Sequence, residues 1–302
     1  GFIGSHLVDS LLEKGHFVRC FDRYKPGDKF HANDDNPNIE IFPGDFLNRS
    51  SLENALEGIE YVFHFISTTT PITSENDPSI DVETNIPMSI ELFNLCVEKK
   101  IKRVIFASTG GAIYGNVNTA DPIKESICPK PISPYAIGKL TIENYLRYFS
   151  IKHDLNYLVL RISNPYGPRQ NILGGQGVIP IFLGKIINNE PLTIYGDGSM
   201  IRDYIYVEDV AEMISGCFDK KTEINGVYNI GAGKGYSVND IVNALKKICN
   251  QDITTNRIET PATFIDHVTL DTTKFTNDFG DGTKTSLEEG IKKTWQVVKL
   301  SA

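Results

Sequence analysis

Two residues four positions apart, Tyr135 and Lys139, give the strongest indication of chemistry in the sequence. In a helix, side chains at i and i+4 lie on one face, so a phenol and an ammonium group would point to the same place. A nearby positive charge lowers the pKa of a tyrosine from its usual value of about 10. The spacing therefore favours a lowered pKa for the phenol, and together with one further positive charge at the site it would make a tyrosinate accessible near neutral pH.

The same spacing recurs at Tyr148 and Lys152, in the same predicted helix. Tyr148 lies 13 residues beyond Tyr135. At about 100° per residue the two pairs fall on nearly opposite faces, so at most one of them faces a site. Tyr148 lies deep in the helix beside Phe149, which favours packing or an interface. Tyr135 follows Pro134 at the predicted helix start, where a side chain can overhang a cleft.

Two glycines open the chain, Gly1 and Gly4, and Asp22 follows Gly4 by 18 residues. Glycines in a dinucleotide-binding turn let the backbone approach a pyrophosphate at the N-terminus of the next helix. An acid at the end of the following strand accepts hydrogen bonds from the adenosine ribose and repels a 2′-phosphate. The arrangement predicts an NAD site. The alternative is that the two glycines and the acid only serve the geometry of local turns. Arg23 beside the acid leaves NADP open.

These residues are predicted to lie on alternating strands and helices. Apolar runs indicate strands at 17–21, 40–42, 61–66, 103–107 and 157–161, and helical spacing indicates helices from residue 5, over 86–99 and over 134–152. Such alternation implies right-handed βαβ units. We therefore predict an α/β fold, a Rossmann-type doubly wound parallel sheet that places its ligands where strands end, as Ser108 and Thr109 do.

After Asn164 this alternation breaks, and glycine and proline become frequent. That composition is typical of a smaller substrate-binding region attached to a nucleotide-binding sheet, so we expect an interleaved C-terminal substrate domain. The expected boundaries are residues 1–163 for the NAD-binding domain and 164–302 for most of the substrate domain, with segments near 203–232 returning to the first.

Composition excludes several other classes of function. The formal net charge of −8 over 302 residues argues against a nucleic-acid or anionic-membrane binder, and no apolar run approaches a membrane span of about 20 residues. The five cysteines are scattered, as expected of reduced thiols in a cytoplasmic protein. The six histidines lack metal-ligand spacing, so we expect no metal.

No strand precedes Gly1, although a pyrophosphate turn normally follows a buried strand. We interpret the sequence as truncated before the turn. A protein that truly began at Gly1 would be expected to expose apolar sheet edges, to have low stability and to bind its cofactor weakly.

A series of ordered blocks runs through nearly the whole chain. The blocks are GFIGSH (1–6), GDF (44–46), HFIS (64–67), TN (84–85), FASTGGAIYG (106–115), SPYAIGK (133–139), RISNPYGPRQ (161–170), YGDGSMIRDYIYVEDV (195–210) and SLEEGIKKTW (286–295). Together they resemble the extended short-chain dehydrogenase/reductases, specifically the NAD-dependent nucleotide-sugar epimerase/dehydratase group. Any one block could be accidental, but the ordered set is specific.

The resemblance implies a role for each matching residue. Thr109 would hydrogen-bond the sugar hydroxyl that is oxidised, Tyr135 would be the base, and Lys139 would hold the cofactor ribose and tune the tyrosine. The implied cofactor contacts are Gly1, Phe2, Ile3, Gly4, Asp22, Arg23, Asp45, Phe46, Phe65, Ile66, Ser67, Asn85, Tyr135, Lys139 and Ile162, with Asp45 and Phe46 bracketing adenine. The implied substrate contacts are Thr109, Asn164, Arg169, Val178, Tyr195 and Arg202.

Two of these substrate contacts have alternatives. Arg202 would bind the nucleotide phosphates, for which a bidentate guanidinium is well suited. A surface ion pair with Asp203 or Glu208 is its other explanation. For Arg169, a solvated loop charge explains the residue equally well.

The resemblance also bears on the reaction. Dehydratase relatives typically carry an Asp-Glu pair after the Ser/Thr, whereas Gly110 and Gly111 follow Thr109 here. This favours a UDP-hexose 4-epimerase that oxidises C4 transiently and returns the hydride to the opposite face. The alternatives are a sugar-nucleotide dehydratase or reductase, and a non-catalytic NAD-sensing protein, which would usually lack the tyrosine or the lysine.

The sugar and the oligomeric state are less determined. Relatives usually carry a second phosphate-binding arginine where Thr263 aligns, and Arg257 could replace it only with a shifted loop. The side chain that gates a 2-acetamido group should lie near His267 or Val268, so glucose, N-acetylglucosamine and uronic sugars all remain open. Family dimers pair the helices over 86–99 and 134–152, which implies a homodimer. Leu92, Phe93, Tyr145 and Phe149 are available for that contact or for the core of the monomer.

Overall fold

The computed structural model describes residues 1–24, 36–117, 119, 121–220, 225–260 and 265–301. Its strands are β1 (Val18–Asp22), β2 (Ile39–Pro43), β3 (Tyr61–His64), β4 (Arg103–Thr109), β5 (Tyr157–Ile162), β6 (Asn164–Tyr166), β7 (Leu192–Tyr195), β8 (Ile201–Tyr206), β9 (Gly226–Ile230), β10 (Gly235–Ser237), β11 (Thr255–Ile258) and β12 (His267–Val268). Its helices are α1 (Phe2–Glu13), α2 (Arg49–Ala55), α3 (Pro71–Asn76), α4 (Ile80–Glu83), α5 (Asn85–Glu98), α6 (Pro134–His153), α7 (Val178–Ile187), α8 (Val207–Ser215), α9 (Val238–Cys249), α10 (Thr273–Phe279) and α11 (Leu287–Ser301).

Four parallel strands form the main sheet, in the order β3-β4-β5-β9. Thr109 at the end of β4 lies opposite Ile162 of β5, and Ile162 lies opposite Ile230 of β9. Strand β9 thus belongs to the main sheet, although α7, α8 and the strands β6 to β8 lie between β5 and β9 in the sequence. The strands β1 and β2 pair in parallel as a separate two-stranded sheet, with Asp22 opposite Pro43.

Strand β4 explains why the main sheet has helices on both faces. Its successive residues are buried almost completely, and they alternate between two apolar clusters, as a period of two requires. Val104 and Phe106 pack with residues of α5 and α6, whereas Ile105 packs with residues of α1, α8 and α10. The predicted doubly wound α/β architecture is confirmed.

Helix α8 is held against α1 by polar contacts as well as by packing. The hydroxyl oxygens of Ser10 and Ser215 are 2.6 Å apart, and the Lys14 ammonium lies 2.8 Å from the carboxylate of Glu212. The region that contains α8 and β9 therefore packs with the N-terminal part of the chain.

A second apolar core lies in the C-terminal part of the chain. It is formed by residues of α7, α9 and α11 together with β7 and β8, and Leu183, Leu245 and Ile291 are fully buried in it. Strand β8 pairs with β6, β10 and β12, so it connects the end of the main sheet to this smaller region. The substrate region predicted after Asn164 thus has a core of its own.

Helix α6 carries both tyrosine–lysine pairs, and local sequence explains where it begins and ends. The Ser133 hydroxyl accepts a hydrogen bond from the backbone N–H of Ala136, and Pro134 occupies the first turn. The helix ends where Asp154 adopts a left-handed conformation with φ of 53°. Tyr135 therefore lies in the first turn, and Lys139 lies one turn further along.

Three of the four residues considered for a dimer contact belong to the monomer core. Leu92, Phe93 and Phe149 pack together behind the sheet, and only Tyr145 is exposed. Other apolar side chains of α6 are exposed instead, among them Ile137, Tyr148 and Ile151. Within the described residues, no helix is long and apolar enough to cross a membrane.

Candidate active site

A cavity of about 1220 Å³ runs along β1 and β3 and reaches the carboxyl ends of the parallel strands. It is lined by the start of α1, residues along β1 and β3, the loop after β3, the end of β4 and the first turns of α6. A smaller cavity of about 440 Å³ adjoins it and shares Asn164, Pro165 and Gly177 with it. Open α/β sheets bind ligands at this edge because the strand-to-helix turns converge there.

The predicted catalytic residues Thr109, Tyr135 and Lys139 all line the larger cavity. The Lys139 ammonium donates a hydrogen bond of 2.9 Å to the backbone carbonyl of Ala107. It lies 5.7 Å from the centre of the Tyr135 ring and 4.8 Å from that of Phe106. The fold therefore brings together a hydroxyl, a phenol and an ammonium group from β4 and α6.

The pKa of Tyr135 differs in direction from the sequence expectation. Burial raises it to about 12, and the negative charge of Asp81 adds to the increase. The ammonium of Lys139 binds a backbone carbonyl rather than the phenol, so it does not offset these effects. Burial also lowers the pKa of Lys139 to about 8, against the opposing effects of Asp81 and Glu143.

Most of the predicted cofactor contacts line the larger cavity. These are Gly1, Phe2, Ile3, Gly4, Asp22, Arg23, Asp45, Phe46, Phe65, Ile66, Ser67, Tyr135, Lys139 and Ile162. A Cβ atom added at Gly1 or Gly4 would meet no atom within 4 Å, so both backbones face open space at the start of α1. The Asp22 carboxylate is half exposed at the end of β1. Backbone N–H groups at a helix start and a nearby acid fit a dinucleotide.

Asn85 is the predicted cofactor contact that does not line either cavity. Its side-chain oxygen accepts from the backbone N–H of Thr68, and its amide donates to Asp81 and Thr69. The direct cofactor contact of Asn85 stays a prediction, and in this structure its polar atoms are engaged with the loop and with α4. It supports the cavity wall that Ser67 and Thr68 form.

Asn164, Val178, Tyr195 and Arg202 line the smaller cavity. The guanidinium of Arg202 donates to the carbonyl of Ile201, and burial lowers its pKa.

The ion pairs considered for Arg202 do not form. The Asp203 carboxylate accepts backbone N–H bonds from Ala232, Gly233 and Leu270, and Glu208 accepts from the Tyr206 hydroxyl. The guanidinium of Arg202 thus lines the smaller cavity, and the carboxylate that influences its pKa is that of Asp266, which raises it.

Arg169 lies outside both cavities. Its guanidinium is 2.6 Å from the Asp9 carboxylate on α1, so it forms an ion pair rather than remaining a solvated loop charge. The next residue, Gln170, lines the larger cavity, and its side-chain oxygen is buried without a hydrogen-bond partner among the described residues. The substrate contact of Arg169 stays a prediction, and it would require this ion pair to open.

The glycines after Thr109 occupy crowded positions. A Cβ atom at Gly110 would lie 2.8 Å from the carbonyl oxygen of Arg161, and one at Gly111 would lie 3.4 Å from the amide oxygen of Asn164. A carboxylate-bearing residue at Gly110 would therefore require the backbone of β5 to shift.

Of the residues considered for a second phosphate contact and for sugar selection, those that the structure describes do not line either cavity. Thr263 lies outside the described residues. Arg257 on β11 is exposed and donates to the carbonyl of Gly196. The His267 ring bonds Thr269, and Val268 is buried.

A buried polar network, missed by sequence reasoning, joins β4 to α6. The Ser108 hydroxyl donates to Glu143, whose other oxygen is 2.7 Å from the guanidinium of Arg161. Arg161 also donates to the Tyr114 hydroxyl, which donates to Asn229. Because Ser108 precedes Thr109 and Glu143 lies one turn beyond Lys139, the network fixes the two elements that carry the candidate catalytic groups.

The described residues contain no cluster of three potential metal-ligating side chains. The groups that offer chemistry at this site are a hydroxyl, a phenol and an ammonium group, and its lining fits a dinucleotide.

Comparison with known proteins agrees with this geometry. Residues 1–231 match the model of the NAD dependent epimerase/dehydratase family. The chain is 33% identical over 216 residues to a UDP-glucose 4-epimerase from Mycolicibacterium smegmatis, covering 70% of this chain and 68% of that protein.

Solved structures of two 4-epimerases are similar to this chain over its whole length. A Thermotoga maritima UDP-glucose 4-epimerase with UDP-glucose has a TM-score of 0.92 at 36% identity, covering 100% of this chain and 96% of that one. A UDP-N-acetylglucosamine 4-epimerase from Methanobrevibacter ruminantium has a TM-score of 0.90 at 32% identity, again covering 100% and 96%.

Proposed function

Because the chain belongs to the NAD-dependent epimerase/dehydratase family, we propose that it is a 4-epimerase of a UDP-hexose. The observation that carries this proposal is the convergence of Thr109, Tyr135 and Lys139 on one cavity at the sheet edge. Neither position after Thr109 carries a carboxylate that could assist an elimination, since both are glycine. Epimerisation needs one base and a hydride acceptor, and this site matches that requirement.

The larger cavity would hold NAD, with its pyrophosphate at the start of α1 and its adenosine ribose near Asp22. When bound, NAD supplies the hydride acceptor and a positive charge near the phenol. Lys139 lines the same cavity, and its proposed role is to bind the second ribose. The protein contributes orientation, charge and a proton acceptor.

Tyr135 is the proposed base. Its phenolate removes the proton of the sugar C4 hydroxyl while that carbon loses a hydride, which leaves a 4-keto sugar. Thr109 hydrogen-bonds the same hydroxyl and orients it. The ketone then rotates about its diphosphate link, receives the hydride on the opposite face and takes the proton back from Tyr135.

The smaller cavity would bind the nucleotide diphosphate. Arg202 offers charge-assisted donors to the phosphates, and Asn164 lies where the two cavities meet. Val178 and Tyr195 supply apolar and aromatic surface on the same wall. A firm grip on the nucleotide leaves the sugar free to turn over in the larger cavity.

Epimer formation tests the proposal directly. The protein, supplied with NAD, is incubated with UDP-glucose, UDP-N-acetylglucosamine and UDP-glucuronate, and the sugar signals are followed by NMR. We expect the 4-epimer of at least one of them, without net formation of NADH. A 4-keto-6-deoxy product or stoichiometric use of NADH would identify a dehydratase or a reductase. No conversion of any sugar, with NAD still bound, would favour a sensing protein.

We also propose a homodimer that forms through the exposed face of α6. Ile137, Tyr148 and Ile151 are 51%, 46% and 77% exposed, which is unusual for three large apolar residues on one helix. In this proposal they take the place of the four residues considered from sequence, of which Leu92, Phe93 and Phe149 are buried in the monomer. Burial of this face against a second copy would remove the apolar surface from water.

A further inference from the structure

Asp81 is a buried carboxylate beside the candidate catalytic pair. It lies on the short helix α4 and is 5% exposed. One of its oxygens, Oδ1, accepts hydrogen bonds of 2.9 Å from the Thr69 hydroxyl and 2.5 Å from the Asn85 amide. The other oxygen, Oδ2, is buried and has no hydrogen-bond partner among the described residues. A buried carboxylate with one unsatisfied oxygen is costly, so its retention calls for an explanation.

Gly138 places this carboxylate against α6. A Cβ atom added at Gly138 would lie 3.2 Å from both Cβ and Cγ of Asp81. Because glycine has no such atom, the Asp81 side chain packs directly on the helix between Tyr135 and Lys139. Its negative charge is therefore held next to both groups by packing as well as by hydrogen bonds.

We propose that Asp81 is a positioning residue for the epimerisation proposed above, on which this inference rests. Its fixed negative charge keeps Lys139 in the ammonium form and raises the proton affinity of Tyr135. The carboxylate does not touch the reacting atoms, since it is buried behind the cavity wall and does not line the cavity.

The electrostatics of the pair support this role. Burial is the largest influence on both groups, and Asp81 is the next, raising the pKa of Tyr135 and that of Lys139. The other ionisable groups that influence or face the pair are Glu143 and His64. Both Glu143 oxygens are bonded, to Ser108 and Arg161, and burial lowers the pKa of His64 to about 3, so that the ring is neutral.

The consequence for pH dependence has a definite sign. Turnover needs Tyr135 deprotonated and Lys139 protonated, and the two groups titrate as a coupled pair. Removing the charge of Asp81 lowers the pKa of both. The rising and the falling limbs of the profile of kcat/KM against pH should therefore both move to lower pH, by on the order of one pH unit.

The test compares Asp81→Asn with the wild-type protein and two controls. Asp77→Asn removes an exposed carboxylate of the same segment, and Asp81→Glu keeps the charge. We expect a displaced profile for Asp81→Asn alone. Loss of kcat/KM by the same factor at every pH, with both limbs in place, would mean a structural role only and overturn the proposal. If Asp81→Asn does not fold, the neutral variant Asp81→Ser carries the same expectation.

A second readout does not depend on turnover. The extent of Lys139 acetylation by acetic anhydride, measured by mass spectrometry across pH, reports the fraction of free amine. Its midpoint should lie near pH 8 in the wild-type protein, following the lysine pKa, and lower in Asp81→Asn. An unchanged midpoint overturns the role of Asp81. A shifted midpoint in a protein that epimerises no sugar would instead refute the proposed function and keep the role of Asp81.

Discussion

The two tyrosine–lysine pairs of α6 have the same spacing and opposite surroundings. The Lys152 ammonium donates a hydrogen bond of 2.8 Å to the Tyr148 hydroxyl, so this pair has the direct contact that the spacing predicts. Lys139 makes no such bond to Tyr135 and donates to the Ala107 carbonyl instead. Yet Tyr148 is exposed, whereas Tyr135 and Lys139 line a cavity. Contact geometry alone would select the exposed pair, which lines neither cavity.

The difference indicates that burial, rather than spacing, decides which pair is suited to acid–base chemistry. In water, an exposed pair of this kind has a small mutual influence, because solvent screens the charge. Inside the protein, the same groups lose solvation, and the pKa values move to about 12 for Tyr135 and about 8 for Lys139. Groups with perturbed pKa values in a cleft are those that enzymes use as acids and bases.

Replacing each tyrosine by phenylalanine gives the largest expected contrast. Tyr135→Phe should reduce turnover by roughly 10³-fold or more because it removes the base, while NAD binding stays largely intact. Tyr148→Phe should leave turnover within about twofold, since surface changes away from a site have little effect. Initial rates and calorimetric titration with NAD measure both. Unchanged activity of Tyr135→Phe would contradict the assignment of the catalytic pair.

Much of the fold and part of the site could be predicted from sequence because their signals are local. Apolar runs such as residues 157–161 and the Ser133 cap of α6 depend on neighbours in sequence, and these elements are where the patterns predict them. The helix α1 begins at Phe2 rather than at Ser5, a difference confined to its first turn.

The sequence patterns do not report side-chain contacts that no motif encodes, some of them between residues far apart in the chain. Arg169 pairs with Asp9, and Asn85 turns its amide to Thr69 and Asp81, neither of which a motif reveals. The direction of the Tyr135 pKa depends on burial, which a helical spacing does not report. The sequence did not indicate that Asp81 is buried, because a single acid in a polar segment is typical of the protein surface.

A second contrast concerns the residue that precedes each lysine. Gly138 precedes Lys139 and touches Asp81, whereas Ile151 precedes Lys152 and is 77% exposed. Gly138→Ala stabilises the helix by about 1 kcal/mol through its higher helix propensity. The added Cβ atom, however, would lie 3.2 Å from the Asp81 side chain, which would have to move, and such overpacking costs about 1–3 kcal/mol. We expect a net loss of about 1 kcal/mol together with lower activity.

Ile151→Ala is the matched control at the exposed pair. It removes no contact in the monomer core, so apart from its share in the proposed dimer contact we expect a stability change within about 0.5 kcal/mol and normal turnover. Urea unfolding and initial rates measure both variants. A Gly138→Ala protein as stable and as active as wild type would show that the packing of Asp81 on α6 is not constrained.

The test of the proposed dimer contact, on the face of α6 that carries the exposed pair, has a small expected effect on turnover. Ile151→Asp places a charge on the face that we propose joins two copies of the chain, so it should shift the protein toward the monomer. Light scattering after size-exclusion chromatography measures the mass, and initial rates at matched concentration measure turnover. We expect halved mass with little loss of turnover, since Tyr148 and Lys152 lie away from the cavity. A wild-type protein that is monomeric at every concentration would refute the interface. A halved mass with little loss of turnover would assign the exposed pair to an assembly surface and leave the reaction to the buried pair.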